Sequence, residues 1–233
     1  MRLLSALFLY VFFVPFCSAT VIIEGTRVIY PESKKEVSVA LSNKTDNPYL
    51  VQSWIDEGDA NLNPSEIDVP FILTPPISRI NGGDSQALKL IYTGETLPTD
   101  RESVFWLNVL SVPSKSDKEV NSLQIAYRTR IKLFFRPNDL SGKANETLDK
   151  LEWEQRSGYL SIKNPTPYHV SVTTVKFIVD GVEYNSNESE MMKPYSSSEF
   201  YFPDLKNLNQ AGKVVFTAVN DYGSYKSVEW NLN

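Results

Sequence analysis

Cysteine and histidine are nearly missing from this chain of 233 residues, which contains one of each. A zinc site usually needs several cysteine or histidine ligands, and nucleophilic enzymes usually pair a serine or cysteine with a histidine base. The single Cys17 and the single His169 cannot complete either arrangement. We therefore expect a protein without a metal centre, without a cofactor and without enzymatic activity.

The first nineteen residues have the pattern of a secretory signal, with Arg2, an apolar run from Leu3 to Phe16, and a small-residue exit before predicted cleavage at Thr20. The apolar run is too short and wrongly flanked for a membrane anchor. Cleavage also removes Cys17, so the exported chain must be held together by core burial rather than by disulfides. These features predict export to an oxidising compartment and no stable membrane insertion.

Positive charge is also scarce, since 23 basic side chains face 28 acidic ones. This balance argues against a nucleic-acid-binding protein and predicts that the basic groups act locally. The adjacent carboxylates Asp56 and Glu57 point to opposite faces of a strand, so a glycosidase pair is disfavoured and a solvated strand end is the preferred interpretation. His169 is interpreted as a surface strand residue.

Short segments with alternating apolar and polar residues dominate the first part of the chain, and turn-rich pieces separate them. Seven such segments predict an immunoglobulin-like β-sandwich. They are Val21–Tyr30, Glu36–Ser42, Tyr49–Asp56, Phe71–Thr74, Ala87–Tyr92, Val104–Val112 and Leu123–Phe135.

A second series of β-rich segments follows the polar, breaker-containing stretch Pro137–Ala144. The resulting prediction is an all-β protein with two tandem sandwiches and no repeat of fixed period. We place an N-terminal immunoglobulin-like domain at residues 20–137, a linker at 138–144, and a C-terminal β-sandwich domain at 145–233.

The most informative segment is residues 121–136, which alternates for far longer than an ordinary strand. One face carries apolar side chains and the other carries basic ones. The apolar set is Leu123, Ile125, Tyr127, Ile131, Leu133 and Phe135, and the polar set is Gln124, Arg128, Arg130, Lys132 and Arg136. Such a strand either crosses a large sandwich or extends past its own sheet and offers an edge to a guest strand.

Four pieces of the sequence resemble the periplasmic pilus (fimbrial) chaperones of the PapD type. The longest is residues 97–113, LPTDRESVFWLNVLSVP. The others are 25–27 (GTR), 130–137 (RIKLFFRP) and 162–168 (IKNPTPY). Together they span nearly the whole predicted exported chain. The short segment after Pro113 and the lack of a cysteine pair are similar to the subclass with a short F1–G1 loop, associated with rod-like pili.

This resemblance implies two immunoglobulin-like domains arranged as a boomerang, whose cleft receives a pilus subunit that lacks its own last strand. The chaperone then folds and caps the subunit by donating a β-strand, and delivers it to an outer-membrane usher in the periplasm of a Gram-negative bacterium. Strand addition of this kind is a known mode of recognition for chaperone and pilin pairs, and it protects exposed sheet edges from aggregation.

The resemblance also implies roles for particular residues. Arg27 and Lys132 match the two cleft cations that anchor the C-terminal carboxylate of the subunit. The donor-strand side chains are Leu123, Ile125 and Tyr127, and an interdomain ionic network consists of Glu102, Arg136 and Asp221. Tyr127 is an aromatic residue where an aliphatic one is commoner.

A secreted structural pilus subunit or a sugar-binding adhesin is the alternative interpretation. A pilin usually has a disulfide and an N-terminal donor extension, which this sequence lacks, and an adhesin usually displays aromatic residues on loops rather than in strand-like runs. The exposed apolar strand edge also predicts weak self-association of the free protein.

Overall fold

The computed structural model describes residues 21–115, 123–156, 158–186, 188–205 and 211–232. Within these ranges the chain forms two β-sandwiches, so the predicted all-β fold class is confirmed. The predicted signal segment and most of the short loop after Pro113 lie outside the described residues. No helix in the described ranges has the length and apolar character needed to cross a membrane.

The first sandwich has one four-stranded and one five-stranded sheet, with the orders β1-β3-β7-β5 and β2-β9-β8-β4-β6. Its strands are β1 (Val21–Ile23), β2 (Arg27–Pro31), β3 (Val37–Asn43), β4 (Tyr49–Asp56), β5 (Phe71–Thr74), β6 (Ile77–Ile80), β7 (Ser85–Tyr92), β8 (Ser103–Pro113) and β9 (Tyr127–Arg136), with a 3-10 helix at Pro64–Glu66.

The second sandwich begins with a 3-10 helix and pairs a three-stranded sheet, β10-β11-β15, with a sheet of order β13-β12-β16-β17, where β14 also pairs with β12. Its elements are the helix Ala144–Lys150 and the strands β10 (Glu152–Arg156), β11 (Tyr159–Lys163), β12 (Val170–Val179), β13 (Val182–Asn185), β14 (Met191–Met192), β15 (Ser197–Tyr201), β16 (Gly212–Val219) and β17 (Tyr225–Leu232).

The first predicted strand, Val21–Tyr30, is wrong as a single element. Its beginning forms β1 and pairs antiparallel with β3, whereas its end forms β2 and pairs parallel with β9 in the other sheet. Gly25 lies between them with φ of 111°, a conformation that glycine adopts without steric cost. The chain therefore changes sheets at this glycine, which brings Arg27 beside β9.

Each sandwich has its own hydrophobic core. In the first, Tyr30 and Phe135 are almost completely buried and their rings lie 6.1 Å apart. In the second, Phe177, Phe200 and Phe216 have no exposed surface. Burial of one such side chain contributes about 1.5–3 kcal/mol. Core burial of this extent is consistent with a fold that has no disulfide.

Candidate functional site

One row of residues crosses the outer face of the sheet that contains β9. Parallel pairing of β2 with β9 places Arg27 opposite Lys132, and the antiparallel pairs of β9, β8 and β4 continue the row through Trp106 to Asp56. Directly paired residues point to the same face of a sheet. The next residue on β9, Leu133, is fully buried in the core. The row therefore lies on the face away from the core.

The two cations of this row reach the second domain. Arg27 Nη1 donates to the carbonyl oxygen of Val219 at 3.1 Å and lies 3.5 Å from the hydroxyl oxygen of Ser171. Lys132 Nζ donates to the same hydroxyl at 3.3 Å. The guanidinium of Arg27 also lies 5.9 Å from the ring centre of Phe134. The predicted anchor residues thus converge on one point where the domains meet.

The electrostatics of this cation pair favour an anionic guest. Burial lowers the pKa of Arg27, although the charges of Asp221 and Glu102 act in the opposite direction. Burial also lowers the pKa of Lys132, and the positive charge of Arg27 lowers it further. Among the described residues, no ion pair includes either cation. A carboxylate placed between them would compensate both charges.

The structure brings Glu102, Arg136 and Asp221 together at the domain junction. Arg136 Nε donates to Glu102 Oε1 at 2.7 Å, and its Nη1 and Nη2 donate to the two carboxylate oxygens of Asp221 at 2.8 and 3.1 Å. Burial alone would lower the pKa of Arg136, but its hydrogen bond to Asp221 and the charges of both acids outweigh it and raise the pKa. These hydrogen bonds connect Glu102, directly before β8, and Arg136 of β9 to the β16–β17 turn of the second domain.

His169 also belongs to this junction, so its interpretation as a surface residue is wrong. Its side chain is only 4% exposed. Its backbone N–H donates to Glu102 Oε2 at 2.8 Å, and its ring nitrogen Nδ1 lies 3.3 Å from the same oxygen. The motif at 162–168 ends directly before it, but local alternation carries no information about burial against another domain.

The edge of β9 is covered along only part of its length. On one side, β8 pairs with β9 from Tyr127 to Phe135. On the other side, β2 pairs only with Lys132–Arg136. We call Tyr127–Ile131 the open half of β9 and Lys132–Arg136 the closed half. Within the described residues, the open half has no neighbour on its second edge, so its backbone is available to a guest strand.

The predicted donor side chains lie at and before this open half. The exposed fractions of Leu123, Ile125 and Tyr127 are 87%, 48% and 50%. The strand begins at Tyr127, however, so the prediction of a strand from Leu123 is wrong by four residues. The last described β8–β9 pair joins Ser111 to Tyr127, and residues 123–126 pair with no strand in the part of the chain that the structure describes. Alternation alone does not make a strand when no neighbour supplies the hydrogen bonds.

Sequence reasoning missed a buried ion pair beside the cation row. Asp56, interpreted above as solvated, is only 1% exposed. Its carboxylate accepts hydrogen bonds from Asn108 Nδ2 at 2.6 Å and from the Gly58 N–H at 2.7 Å, and it pairs with Arg130 through two nitrogens. Burial alone would raise the pKa of Asp56, but the hydrogen bonds from Arg130, Asn108 and Gly58 outweigh it and lower the pKa.

The guanidinium of Arg130 lies over the ring of Trp106, 4.8 Å from its centre. Arg128, the other arginine of the open half, donates to the carbonyl oxygen of Ala60 at 2.7 Å. Both arginines are therefore directed toward β4 and the loop that follows it. The alternating sequence places both arginines on the polar face of the strand. Their binding partners can be identified only from the pairing of strands that are distant in sequence.

The described residues contain no cluster of histidine, cysteine, aspartate or glutamate that could hold a metal ion. The site combines two half-buried cations, a strand edge, and exposed apolar side chains beside that edge.

Comparison with protein families matches both domains. Residues 20–141 match the family described as pili and flagellar-assembly chaperone, PapD N-terminal domain. Residues 146–229 match the family described as pili assembly chaperone PapD, C-terminal domain. The two matches cover most of the chain.

Individual proteins agree with the family matches. The chain is 45% identical over 214 residues to the probable fimbrial chaperone YadV of Escherichia coli, covering 88% of this chain and 87% of YadV. It is 41% identical to the chaperone protein FimB/FhaD of Bordetella pertussis, covering 90% and 86%. The crystal structure of YadV superimposes with a TM-score of 0.80 over 92% of this chain and 100% of YadV, at 42% identity.

A solved complex provides a further comparison. The structure of the Salmonella enterica SafA pilin with the SafB chaperone matches with a TM-score of 0.77 and 25% identity, over 91% of this chain and 96% of the matched chain.

Proposed function

The chain belongs to the PapD family of pilus-assembly chaperones, and from this premise we propose how its own residues capture a pilus subunit. The protein binds, folds and caps pilus or fimbrial subunits by donor-strand complementation and transfers them to an outer-membrane usher. It is a binding protein and not an enzyme. Family membership also decides against the structural subunit or adhesin considered from the sequence.

The observation that carries the proposal is the convergence of Arg27 and Lys132 at the point where the closed half of β9 begins, next to the open half. The C-terminal carboxylate of a subunit binds between these cations. Each charge-assisted hydrogen bond of this kind contributes about 1.5–3 kcal/mol. Because the carboxylate is fixed at Lys132, every residue of the subunit strand is fixed relative to β9.

The open half then supplies the backbone for strand addition. A guest strand pairs with the free edge from Tyr127 to Ile131, and the ladder extends over residues 123–126 when a partner supplies the missing hydrogen bonds. Leu123, Ile125 and Tyr127 enter the groove of the subunit, where each fully buried apolar side chain contributes about 1.5–3 kcal/mol. The free protein leaves these side chains exposed because their partner is the client.

The contacts at the domain junction orient the second domain toward the anchor. Arg136 binds Asp221 at the β16–β17 turn, and Arg27 binds Val219 at the end of β16. Through these two contacts the β16–β17 hairpin is joined both to the ionic network at Arg136 and to the proposed carboxylate site at Arg27. We infer that Glu102, Arg136 and Asp221 hold the cleft in the geometry that capture requires.

The family operates in the periplasm of Gram-negative bacteria, and residues 1–19 are proposed to be the export signal removed on the way. The proposed division is an N-terminal domain at 20–137, a linker at 138–144 and a C-terminal domain at 145–233. The usher is the proposed second partner.

Recovery of the tagged chaperone from pilus-expressing cells tests the anchor. We expect pilus subunits to co-purify with the wild type in stoichiometric amounts and to be absent from Arg27→Ala/Lys132→Ala, as identified by mass spectrometry. The control Lys89→Ala/Arg101→Ala removes the same charge from two exposed, ion-paired positions and should retain the subunits. Full capture by the anchor variant, with circular dichroism unchanged, would refute the assignment.

A further inference from the structure

Three cations lie close together on the outer face of the first domain, yet only two are available to a carboxylate. Lys132 and Arg130 are two residues apart on β9 and point to the same face. Two residues of strand span roughly 6.6 Å. The guanidinium of Arg130 approaches the row that contains Lys132 more closely than this spacing suggests. It lies over Trp106, the residue paired with Lys132.

An additional free cation at this place would make the register of the guest strand ambiguous. A slip of one residue turns every side chain to the wrong face and is strongly disfavoured. A slip of two residues keeps each apolar side chain on the correct face, so hydrophobic alternation does not prevent it. Arg130 lies one such step from Lys132, and a carboxylate bound at Arg130 would dock the subunit two residues out of place.

The position of Asp56 prevents a carboxylate from binding at Arg130. Asp56 lies at the opposite end of the row from Arg27, with Trp106 and Lys132 between them. Its carboxylate takes two nitrogens of Arg130 and so holds that guanidinium on the β4 side. Asn108 and the Gly58 N–H fix the carboxylate itself.

Resting on the proposed carboxylate anchor, we propose that Asp56 is a specificity-determining residue that sequesters Arg130, leaving Arg27 and Lys132 as the only cation pair that a subunit carboxylate can bind. The low pKa of Asp56 keeps it ionised at neutral pH, as this role requires. Arg128 is restrained in the same direction by the Ala60 carbonyl, so both arginines of the open half are withheld from the guest. Asp56 acts through Arg130 and does not contact the subunit.

A rescue experiment tests this role. The probe is a peptide with the sequence of the C-terminal strand of the subunit that co-purifies with the wild type, synthesised with a free carboxylate and as the C-terminal amide. Lys132→Ala should weaken binding of the carboxylate peptide by about tenfold to a hundredfold. Asp56→Asn/Lys132→Ala should bind it about tenfold more tightly than Lys132→Ala, because Arg130 is released to replace the missing lysine.

Two controls separate this effect from others. Asp56→Asn/Arg130→Gln/Lys132→Ala should return to the affinity of Lys132→Ala, and the amide peptide should show no rescue. Disulfide trapping provides a second readout, because the predicted exported chain has no cysteine of its own. In a chaperone with Ile125→Cys, the disulfide shows which position of the peptide lies beside residue 125. Adding Asp56→Asn should shift that position by two residues in part of the complexes.

The outcomes are distinct. If Asp56→Asn/Lys132→Ala is folded by circular dichroism but binds no better than Lys132→Ala, the proposed role of Asp56 is refuted. If Lys132→Ala alone binds the carboxylate peptide like the wild type, the anchor itself is wrong. Should Asp56→Asn fail to fold, Asp56→Ser replaces it, since its hydroxyl still accepts a hydrogen bond from Gly58 and admits water beside Arg130.

Discussion

The two ends of β9 share one alternating pattern but differ in how deeply their apolar side chains are buried. In the closed half, Leu133 and Phe135 lie between β2 and β8 and are almost fully buried. In the open half, Tyr127 has a neighbour on one side only and half of its surface is exposed. Ile131, at the inner end of the open half, is still buried, so the alternating pattern alone does not show where the core ends and exposed apolar surface begins.

The largest expected effect tests the closed half. Phe135→Ala should lower the free energy of unfolding by about 3–5 kcal/mol, because it removes a fully buried ring from the aromatic core. Leu123→Ala should change it by less than about 0.5 kcal/mol, because that side chain is exposed. Urea unfolding measures both. Similar losses in the two variants would mean that the closed half and the segment before β9 do not differ in burial as described.

A second prediction concerns Arg136, the last residue of the closed half. Glu102→Ala should cost about 3 kcal/mol, because it leaves Arg136 and His169 without their buried acceptor. Asp221→Ala should cost about 1 kcal/mol or less, since that carboxylate is partly exposed. Asp221→Ala should nevertheless alter small-angle scattering and weaken subunit capture. Unchanged scattering and capture would exclude an orienting role.

A third prediction concerns the contact between Gly223 of the second domain and Thr26, the residue directly before β2. Gly223 has φ of 81°, and a Cβ there would lie 2.4 Å from the hydroxyl oxygen of Thr26, next to Arg27. Gly181→Ala is the matched control, because it has φ of 79° and open space around it. Both variants should lose about 1 kcal/mol from the backbone conformation. Gly223→Ala should lose more and should also weaken capture, whereas equal losses and equal capture would contradict a role for this contact.

The smallest expected effect is a pH dependence of peptide binding through Lys132, the first residue of the closed half. Its pKa is lowered from the ordinary 10.5, so binding of the carboxylate peptide should decline as the pH rises through the range just below that value. Over the same range the folded protein should gain stability, because the unfolded chain keeps the proton longer. Lys132→Arg should show no decline in binding. A decline of equal size in both proteins would place the titrating group elsewhere.

Much of the architecture could be predicted from alternation and from motifs. Strand period is a local property and predicts the two sandwiches. Arg27 and Lys132 were indicated only by the resemblance of their motifs to the family, and their anchoring role stays a prediction. The parallel register of β2 with β9 could not be predicted, since it depends on a change of sheet at Gly25 and on contacts between distant segments. In the first sandwich, the short strand β6 was not predicted.

The buried polar residues were the hardest part of the site. Asp56 and His169 each lie in sequences that are typical of exposed positions, and their burial depends on Arg130, 74 positions away, and on Glu102, 67 positions away. A partial signal existed for Asp56, because the cations of residues 128–132 require counter-ions that the run itself does not contain. Only the order of the strands in the sheet shows which counter-ion binds which cation.

The end of β2 has a further consequence for any strand that docks on the free edge. Because β2 occupies that edge from Lys132 onward, a guest and β2 must lie end to end on the same line. The guest cannot advance past Arg27, so β2 acts as a mechanical stop. The end of β2 therefore sets where a strand docked on this edge must finish.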